Sequence, residues 1–503
     1  MLKCDLLVDS KDLRATLLKL KKDDDFTILL DMTAVDYSKF PDSTPSRFAV
    51  VYVLRSSDFK KETTVKAFVS DETLSVDTVS DIFPSANWAE REAYDQYGVI
   101  FLNHPNLKRV LNHKQFVGHP LRKDYKITQG QICTETDDLM DEMLPLLKSK
   151  GYTDEEIADL MLLNVGPSHP ASHGTIRNFV ALEGETIAAC VTEIGYLHRG
   201  FEKACEHHTY SQVIPYTDRL NYCSAILNNI GWAKAIEDMM KIEITPRAKM
   251  IRVVIGELSR IIDHFVCNAA NMVDLGGLTS LWYLFGARDQ AYDLLSKLTG
   301  ARLTNTYTRI GGLEFDLYDG FDKDLEEVLK TSEKAIEDVL SLIAHNKLFH
   351  DRTQDVGVIK PDFALANGIS GPNLRAAGVA HDLRKDKPYY GYENFDFDVV
   401  IGSHGDVYDR MMCRFEESIQ SIKIIRQAMK NMPDGAINVY APNLVLPNKK
   451  DVYGNIEGLM NQFKLTFEGT LVPKGEYYSS TEATNGELGF FIISDGSGRP
   501  YKV

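Results

Sequence analysis

The chain has 503 residues, of which 44% are hydrophobic and 25% charged. This composition is ordinary for a globular protein, and the length suits more than one domain. The formal net charge of −16 opposes binding to nucleic acid or to anionic lipid, because both present phosphates. The seven cysteines include no CxxC pair, which argues against a disulfide framework, a zinc ribbon and a local iron–sulfur ligand run.

No segment of the sequence predicts insertion into a membrane. The start, MLKCDLLVDSKDL, lacks the uninterrupted apolar run of a signal peptide. A spanning helix needs about 18 apolar residues in a row, and the most apolar helical region, residues 250–273, is interrupted by Arg252, Glu257, Arg260, Asp263 and His264. We therefore expect a soluble, cytosol-facing protein that only other subunits could hold at a membrane.

Residues 1–127 predict a small α+β domain. Ser10 is expected to cap a helix whose apolar face is Leu13, Leu17 and Leu20. Strands are predicted over residues 26–30, 48–54 and 64–69, a helix over 88–97, and an ordered loop over 104–125. The charged residues near this helix and loop are expected in ion pairs and subunit contacts, not in an active site: Glu90, Arg91, Glu92, Asp95, Arg122, Lys123 and Asp124.

Residues 128–162 predict a linker between two folding units, because TQGQICTETDD is polar and acidic. Thr153 and Glu156 have the spacing of a helix capping box. Ile157, Leu160 and Met161 would then share one helical face.

Residues 163–503 predict a larger and mainly helical domain. It opens with a β-hairpin, residues 175–182 and 186–194, around Glu183-Gly184-Glu185. The clearest helix starts with Thr245 as cap and Pro246 at its first position. Two further long helices are predicted over residues 322–344 and 408–430. The predicted fold class is thus α+β, with a small α+β domain linked to a mainly helical domain that has an N-terminal β-hairpin.

The most unusual motif is NVGPSHPASHG, residues 164–174, in which His169 and His173 stand four apart. On a helix that spacing would suit a metal, but the prolines and glycines of the motif oppose a helix. The ordinary interpretation is a rigid loop whose histidines bond backbone groups. The alternative is that this rigidity holds an imidazole at the mouth of a cavity, ready to exchange a proton near neutral pH.

Other candidates are GYLHRG, the pair His207-His208, YTDRLNY and Asp274. Each has an ordinary structural interpretation: Tyr222 as a core tyrosine, for example, and Asp274 as a residue that closes a helix. The sequence contains no GxGxxG after a strand, no GxxxxGK[ST], no GxSxG and no HExxH. The residues alone therefore indicate no nucleotide site and leave these alternatives open.

Long stretches resemble respiratory complex I, the proton-pumping NADH:quinone oxidoreductase. NVGPSHPASHGTIR, EIGYLHRGFEK and SGPNLRAAGVAHDLRKDKPYYGYENFDFDV are similar to its D-type component, and NWAEREAYDQYGVIFLNHPNLKRVL to its C-type component. Together they span nearly the whole chain in the order C then D. The resemblance implies a fused C/D subunit of the peripheral arm, with a D part like the large subunit of [NiFe] hydrogenases.

The family implies a quinone headgroup site between this chain and the iron–sulfur B-type component, whose [4Fe–4S] cluster delivers electrons. By motif match, His173 and Tyr222 contact the two quinone carbonyl oxygens, and Asp274 pairs with His173. The loop residues His169, Ser172 and Gly174 would shape the cavity. This chain would bind no metal or flavin, and the substrate would be ubiquinone or menaquinone.

The same resemblance places the chain at the cytoplasmic side of the inner membrane, coupled to proton translocation. Its expected partners are the iron–sulfur B-type component, other peripheral-arm subunits and the membrane subunit that forms the quinone channel. A [NiFe] hydrogenase-type large subunit is an alternative, but its N-terminal cysteine pair is replaced here by EIGYLHRG. A ferredoxin-dependent relative and an inactive scaffold are the others. Family members usually continue beyond SDGSGRPYKV, so we expect a short C-terminal end.

Overall fold

The computed structural model describes residues 5–134, 138–172 and 174–503. Its first part contains β1 (Leu6–Asp9), α1 (Leu13–Asp23), β2 (Ile28–Asp36), β3 (Phe48–Arg55), β4 (Glu62–Val69), β5 (Ser75–Asp77), α2 (Ala86–Tyr97) and β6 (Ile100–Leu102). Four strands form a sheet in the order β1-β4-β3-β2, in which only β1 and β4 run parallel. Strands β5 and β6 form a separate parallel pair.

The four-stranded sheet is covered on both faces. All eight residues of β3, FAVVYVLR, are buried, which explains why this strand reads as a continuous apolar run and not as an alternating one. Leu13, Leu17 and Leu20 of α1 pack into the core on one face, as predicted. The predicted cap is wrong: α1 follows Asp12, and the Ser10 hydroxyl lies 3.5 Å from the Asp9 carboxylate. The strand predicted over 26–30 extends through β2.

Some of the charged residues near α2 form the buried ion pairs that the sequence predicts, and their subunit contacts stay a prediction. Asp95 is buried; its carboxylate lies 2.6 Å from the Arg109 guanidinium and accepts from the backbone N–H groups of Leu111 and Asn112. Lys123 forms a 2.8 Å ion pair with Glu206, which belongs to the second part of the chain. These carboxylates and cations therefore stabilise the loop 104–125 and its packing.

The middle of the chain contains α3 (Met140–Ser149), α4 (Asp154–Asp159), β7 (Met161–Val165), β8 (Arg177–Glu183) and β9 (Thr186–Glu193). The predicted hairpin is confirmed as β8–β9, and β7 adds a third antiparallel strand that the sequence did not reveal. The capping box of Thr153 and Glu156 is present. The predicted shared helical face is wrong, because α4 ends at Asp159: Ile157 is a buried residue of α4, whereas Met161 is an exposed residue of β7. Both helices pack against the sheet through one apolar cluster. The domain limits of 127 and 163 stay predictions.

The remainder is mainly helical and ends in a β-hairpin. Its helices are α5 (Phe201–Cys205), α6 (Tyr210–Thr217), α7 (Ala225–Met240), α8 (Pro246–Asp274), α9 (Leu278–Thr299), α10 (Phe321–Ile343), α11 (Lys347–Thr353), α12 (Pro361–Ala366), α13 (Gly371–Ala376), α14 (Leu383–Asp386), α15 (Val407–Lys430), α16 (Lys449–Gly454) and α17 (Ile456–Phe467). Its strands are β10 (Thr308–Arg309), β11 (Gly312–Leu313), β12 (Gly475–Ala483) and β13 (Gly486–Ser494). Single 3₁₀ turns occur at Pro170–Ser172, Tyr222–Ser224 and Tyr392–Asn394.

Helix α8 forms the centre of the helical part, packed against α7, α9 and α15. The Thr245 hydroxyl accepts the backbone N–H of Ala248, and Pro246 is the first helical residue, as predicted. The predicted helices over 322–344 and 408–430 are confirmed as α10 and α15. Among the described helices, none combines the length and apolar character needed to cross a membrane.

The charged and histidine residues that interrupt the apolar region of α8 are buried, and all but Asp263 pair with charged side chains of the core. Arg252 donates to Glu237 at 2.7 Å, and Glu257 accepts from Arg384 at 3.0 Å. Burial alone would raise the pKa of Glu257, but Arg260 and Arg384 lower it to about 2. His264 lies 3.0 Å from Glu417, and burial lowers the pKa of this imidazole. These side chains therefore belong to the core of the helical part.

The C-terminal hairpin β12–β13 joins the two parts of the chain. Phe491 and Ile493 pack against the face of the first sheet that α1 and α2 leave open, where Val35 and Val51 belong to the same apolar cluster. Beside them, Lys66 of β4 forms an ion pair with Glu476 of β12, and both side chains are only 1% exposed. The hairpin thus supplies the second cover of the first sheet.

Candidate functional site

Tyr222 lies on the 3₁₀ turn Tyr222–Ser224, which connects α6 to α7. Its side chain is 52% exposed, so the interpretation of Tyr222 as a core tyrosine is wrong. Because a phenol both donates and accepts hydrogen bonds, this position can offer a hydroxyl to a ligand. We call residues 221–224 the Tyr222 turn.

The Tyr222 turn is bound to α8 at one carboxylate. The Asn221 amide and the Ser224 hydroxyl each donate to Oδ2 of Asp263, and both distances are 2.7 Å. The Asn221 Oδ1 accepts the backbone N–H of Cys223 at 3.3 Å, and Asn228 donates to the Asn221 carbonyl at 3.0 Å. The residues before and after the tyrosine are therefore held, while its ring stands at the surface.

A second buried carboxylate holds the segment just before the turn. Asp218 accepts from the Asn229 amide at 2.7 Å and from the Thr306 hydroxyl at 2.5 Å. Burial raises the pKa of Asp218 despite these two donors. YTDRLNY is thus attached to the protein at Asp218 and again at Asn221.

The loop between β7 and β8 carries four predicted site residues, of which the structure describes His169, Ser172 and Gly174. It begins at Gly166, whose φ of +99° favours glycine and whose added Cβ would lie 1.9 Å from the Ile176 carbonyl oxygen. The Ser172 hydroxyl lies within hydrogen-bond distance of the carbonyl oxygens of His169 (2.6 Å) and Gly174 (2.7 Å) and can donate to either. The described residues of the loop form one 3₁₀ segment and not a regular helix, as the prolines and glycines indicate, and His169 is exposed.

Asp274 is the last residue of α8 and is exposed. It follows Asp263 by eleven positions, which corresponds to about 16 Å along a helix that rises 1.5 Å per residue. The structure therefore joins the Tyr222 turn to α8 three helical turns before Asp274. His173 lies outside the described residues, so its pairing with Asp274 and its distance from Tyr222 stay predictions.

The sequence reasoning missed the residues that hold Tyr222, namely Asp218, Asn221, Ser224 and Asp263. One signal was present: Asp263 is one of five charged or histidine residues that interrupt the apolar helical region 250–273. What it binds could not be read from the sequence, because Asn221 is 42 positions away.

The described residues contain no group of three or more His, Cys, Asp or Glu side chains arranged to hold a metal ion. Cys223, beside Tyr222, is partly buried, and burial raises the pKa of its thiol to about 12. This thiol is therefore protonated at neutral pH and is a weak nucleophile.

Two family models match the chain. Residues 6–131 match the respiratory-chain NADH dehydrogenase 30 Kd subunit, and residues 274–503 match the respiratory-chain NADH dehydrogenase 49 Kd subunit. The first match covers the strand-rich part and the second covers most of the helical part. These matches define the class of protein: counterparts of two subunits of respiratory-chain NADH dehydrogenase, the 30 Kd and the 49 Kd subunit, lie on one polypeptide.

Similar proteins include fused C/D subunits and separate D subunits. The NADH-quinone oxidoreductase C/D subunit of Bdellovibrio bacteriovorus is 48% identical over 99% of this chain and 87% of its own length. The C/D subunit of Nitrosospira multiformis is 36% identical over 97% and 82%. The D-type NADH-quinone oxidoreductase subunit of Pelobacter propionicus is 49% identical over 68% of this chain and 85% of its own length.

The chain belongs to the family of fused C/D subunits of NADH-quinone oxidoreductase. It is therefore a component of complex I, an oxidoreductase that takes quinone as substrate, and its partners are other complex I subunits.

Proposed function

We propose that this chain forms the quinone headgroup site of complex I and supplies protons while electrons arrive from the [4Fe–4S] cluster of the iron–sulfur B-type component. NADH is the ultimate electron donor in this proposal, because the relatives' names carry it. The observation that supports the site is the exposed Tyr222 on a turn held by buried hydrogen bonds. A fixed turn with an accessible phenol suits recognition of a small polar group.

The chemistry requires two proton donors. Reduction of a quinone to a quinol consumes two electrons and two protons, and each carbonyl oxygen becomes a hydroxyl. Tyr222 would donate a hydrogen bond to one oxygen, and His173 would donate to the other. Asp274 would stabilise the protonated imidazole of His173.

Donors must lie within hydrogen-bond distance of the oxygens that they serve. The β7–β8 loop, with His169, Ser172 and Gly174, would form the entrance to the headgroup site. Loss of the proton from His173 would leave the Asp274 carboxylate without its cation, a change that we propose starts the coupling to proton translocation.

The same proposal places the chain at the cytoplasmic side of the inner membrane, held by the iron–sulfur B-type component, other peripheral-arm subunits and the quinone-channel subunit. Large apolar side chains are exposed in the segments GYLHRG and YTDRLNY and just after Asp274. Leu220 and Leu197 are 43% and 64% exposed, and Leu278 and Trp282, just after Asp274, are 54% and 67% exposed. Exposed apolar surface of this kind is typical of subunit contacts.

The test is Tyr222→Phe in the assembled complex. We expect quinone reduction to fall about tenfold or more, because one hydrogen bond to the reacting oxygen is worth about 1 kcal/mol and a proton donor more. Reduction of ferricyanide by NADH, which does not use the quinone site, should be unchanged.

Tyr216→Phe is the matched control, since Tyr216 belongs to the same segment and is 38% exposed. It should keep full quinone reductase activity. If Tyr222→Phe also keeps full activity, the proposed role of Tyr222 is wrong.

A further inference from the structure

We propose that Asp263 is a positioning residue for quinone reduction: by binding Asn221 and Ser224 through one carboxylate oxygen, it determines where Tyr222 stands. The inference rests on the proposed function, in which Tyr222 contacts the quinone. It assigns no contact between Asp263 and the substrate.

The bonding of Asp263 differs from that of its neighbours on α8. Arg252, Glu257 and His264 pair with charged side chains of the core. Asp263 is equally buried, at 4% exposure, but it accepts from two neutral side chains of the Tyr222 turn. Burial of a carboxylate is costly unless it is hydrogen-bonded, so these two bonds carry the stabilisation of this charge.

The position of Tyr222 depends on the turn more than on packing. Its ring is half exposed, and the turn itself is a single 3₁₀ segment. Hydrogen bonds on the two sides of the tyrosine therefore fix the backbone that carries the ring. A displacement of about 1 Å at a reacting group can lower a rate by about a hundredfold.

An exchange of the amide and the carboxylate tests this role. Asn221→Asp places a second carboxylate where the amide donates at 2.7 Å. Like charges at that distance repel, so the turn should move and kcat for quinone reduction should fall at least about tenfold. Asp263→Asn keeps an oxygen that can accept from both donors, and its kcat should fall less than about threefold.

The double variant N221D/D263N is the decisive one. The amide introduced at position 263 would donate to the carboxylate introduced at position 221, so the same pair forms with donor and acceptor exchanged. We expect kcat to return to within about threefold of wild type, with NADH:ferricyanide activity constant throughout. A merely structural requirement for a charge at 263 would not be rescued in this way.

Ser224→Ala keeps the test decisive if Asn221→Asp does not assemble. It removes one of the two hydrogen bonds to Asp263. In an assembled complex that contains all its subunits, kcat for quinone reduction should fall about two- to fivefold. Glu90→Gln is the matched control: it alters a buried carboxylate that also accepts from neutral groups, Thr78 and Val79, in the first part of the chain. Its quinone kcat should equal that of wild type.

The outcomes separate this inference from the proposed function. If Tyr222→Phe loses activity but the assembled N221D complex, or S224A where N221D does not assemble, keeps wild-type kcat, Asp263 does not position Tyr222. The same conclusion follows if the double variant is as impaired as N221D. If Tyr222→Phe keeps full activity, the proposed function itself fails, whatever the exchange series shows.

Discussion

The buried pair of Lys66 and Glu476 allows a sharp test of how the two parts of the chain are joined. The Lys66 ammonium contacts both oxygens of the Glu476 carboxylate and lies 2.9 Å from the Tyr37 hydroxyl. Tyr37 also donates to the carboxylate at 2.7 Å. Lys66→Met would leave the buried carboxylate with a phenol donor and without its cation. Removal of one member of a buried ion pair costs about 3–5 kcal/mol, and we expect a loss of that size.

The double variant K66M/E476L should be more stable than K66M. It removes the uncompensated charge, and the remaining cost is the lost acceptor of Tyr37, about 1–3 kcal/mol. We therefore expect the second substitution to restore about 2 kcal/mol. Such a gain on removing a second polar group is the signature of an electrostatic cost and not of lost packing.

Urea unfolding of the full chain, followed by tryptophan fluorescence, measures these differences. Trp232 is fully buried and packs edge-to-face against Phe490 of β13, with ring centroids 5.4 Å apart, so its emission reports on the hairpin. Lys148→Met is the control, because its pair with Asp154 is 56% and 83% exposed and should contribute less than about 1 kcal/mol. A loss below about 1 kcal/mol for K66M, with no recovery in the double variant, would refute the reasoning.

Two further predictions concern pH and backbone geometry. Burial raises the pKa of Glu90 from 4.5 to about 7, so the folded chain keeps a proton that the unfolded chain releases; stability should fall by about 3 kcal/mol as pH rises through that window and level off above it. In Glu90→Gln the thermal midpoint should no longer fall over this pH range. If it falls as it does in the wild type, Glu90 is not the source of the decline. Gly195 has a φ of +108°, and an added Cβ would lie 2.4 Å from the Leu111 carbonyl oxygen, whereas Gly184 has a φ of +63° with open space around it. Gly195→Ala should therefore cost at least twice the roughly 1 kcal/mol of Gly184→Ala in urea unfolding, and equal costs would contradict the close contact.

The long helices were predictable because their signals are local. Thr245 and Pro246 mark the start of α8. In α10 and α15 the helical spacing of the apolar residues indicates which face each helix buries. Helix α9 escaped prediction because apolar residues lie on both its buried and its exposed sides. Trp282 is 67% exposed, while Leu284 is fully buried.

The hairpin β12–β13 shows a second limit of sequence reasoning. Four consecutive residues of β13, Phe490 to Ile493, are buried, since one side packs on the first sheet and the other on α7 and its neighbours. A strand covered on both sides loses the alternation that would reveal it. For the same reason, the predicted mainly helical domain is correct in kind but did not include this hairpin.

The candidate site was predictable only in part. The resemblance selected Tyr222, but its exposure and its anchor depend on contacts between residues far apart in sequence. Asp263 could be noticed as an interruption of an apolar helix. Three of its charged neighbours on α8 interrupt the helix in the same way, however, and they belong to ion pairs of the core. Only the contacts distinguish a carboxylate that stabilises the core from one that holds the Tyr222 turn.

The first part of the chain has no candidate catalytic residue, but it is connected to the site by a continuous series of contacts. Lys66 of its sheet binds Glu476 at one end of β12. At the other end of β12, Arg260 of α8 donates to the carbonyl oxygens of Glu482 and Ala483, both at 2.8 Å. Asp263 follows Arg260 by one helical turn and binds the Tyr222 turn. Since these contacts are buried or partly buried, the placement of α8, and with it of Tyr222, depends on how the hairpin docks against the first sheet.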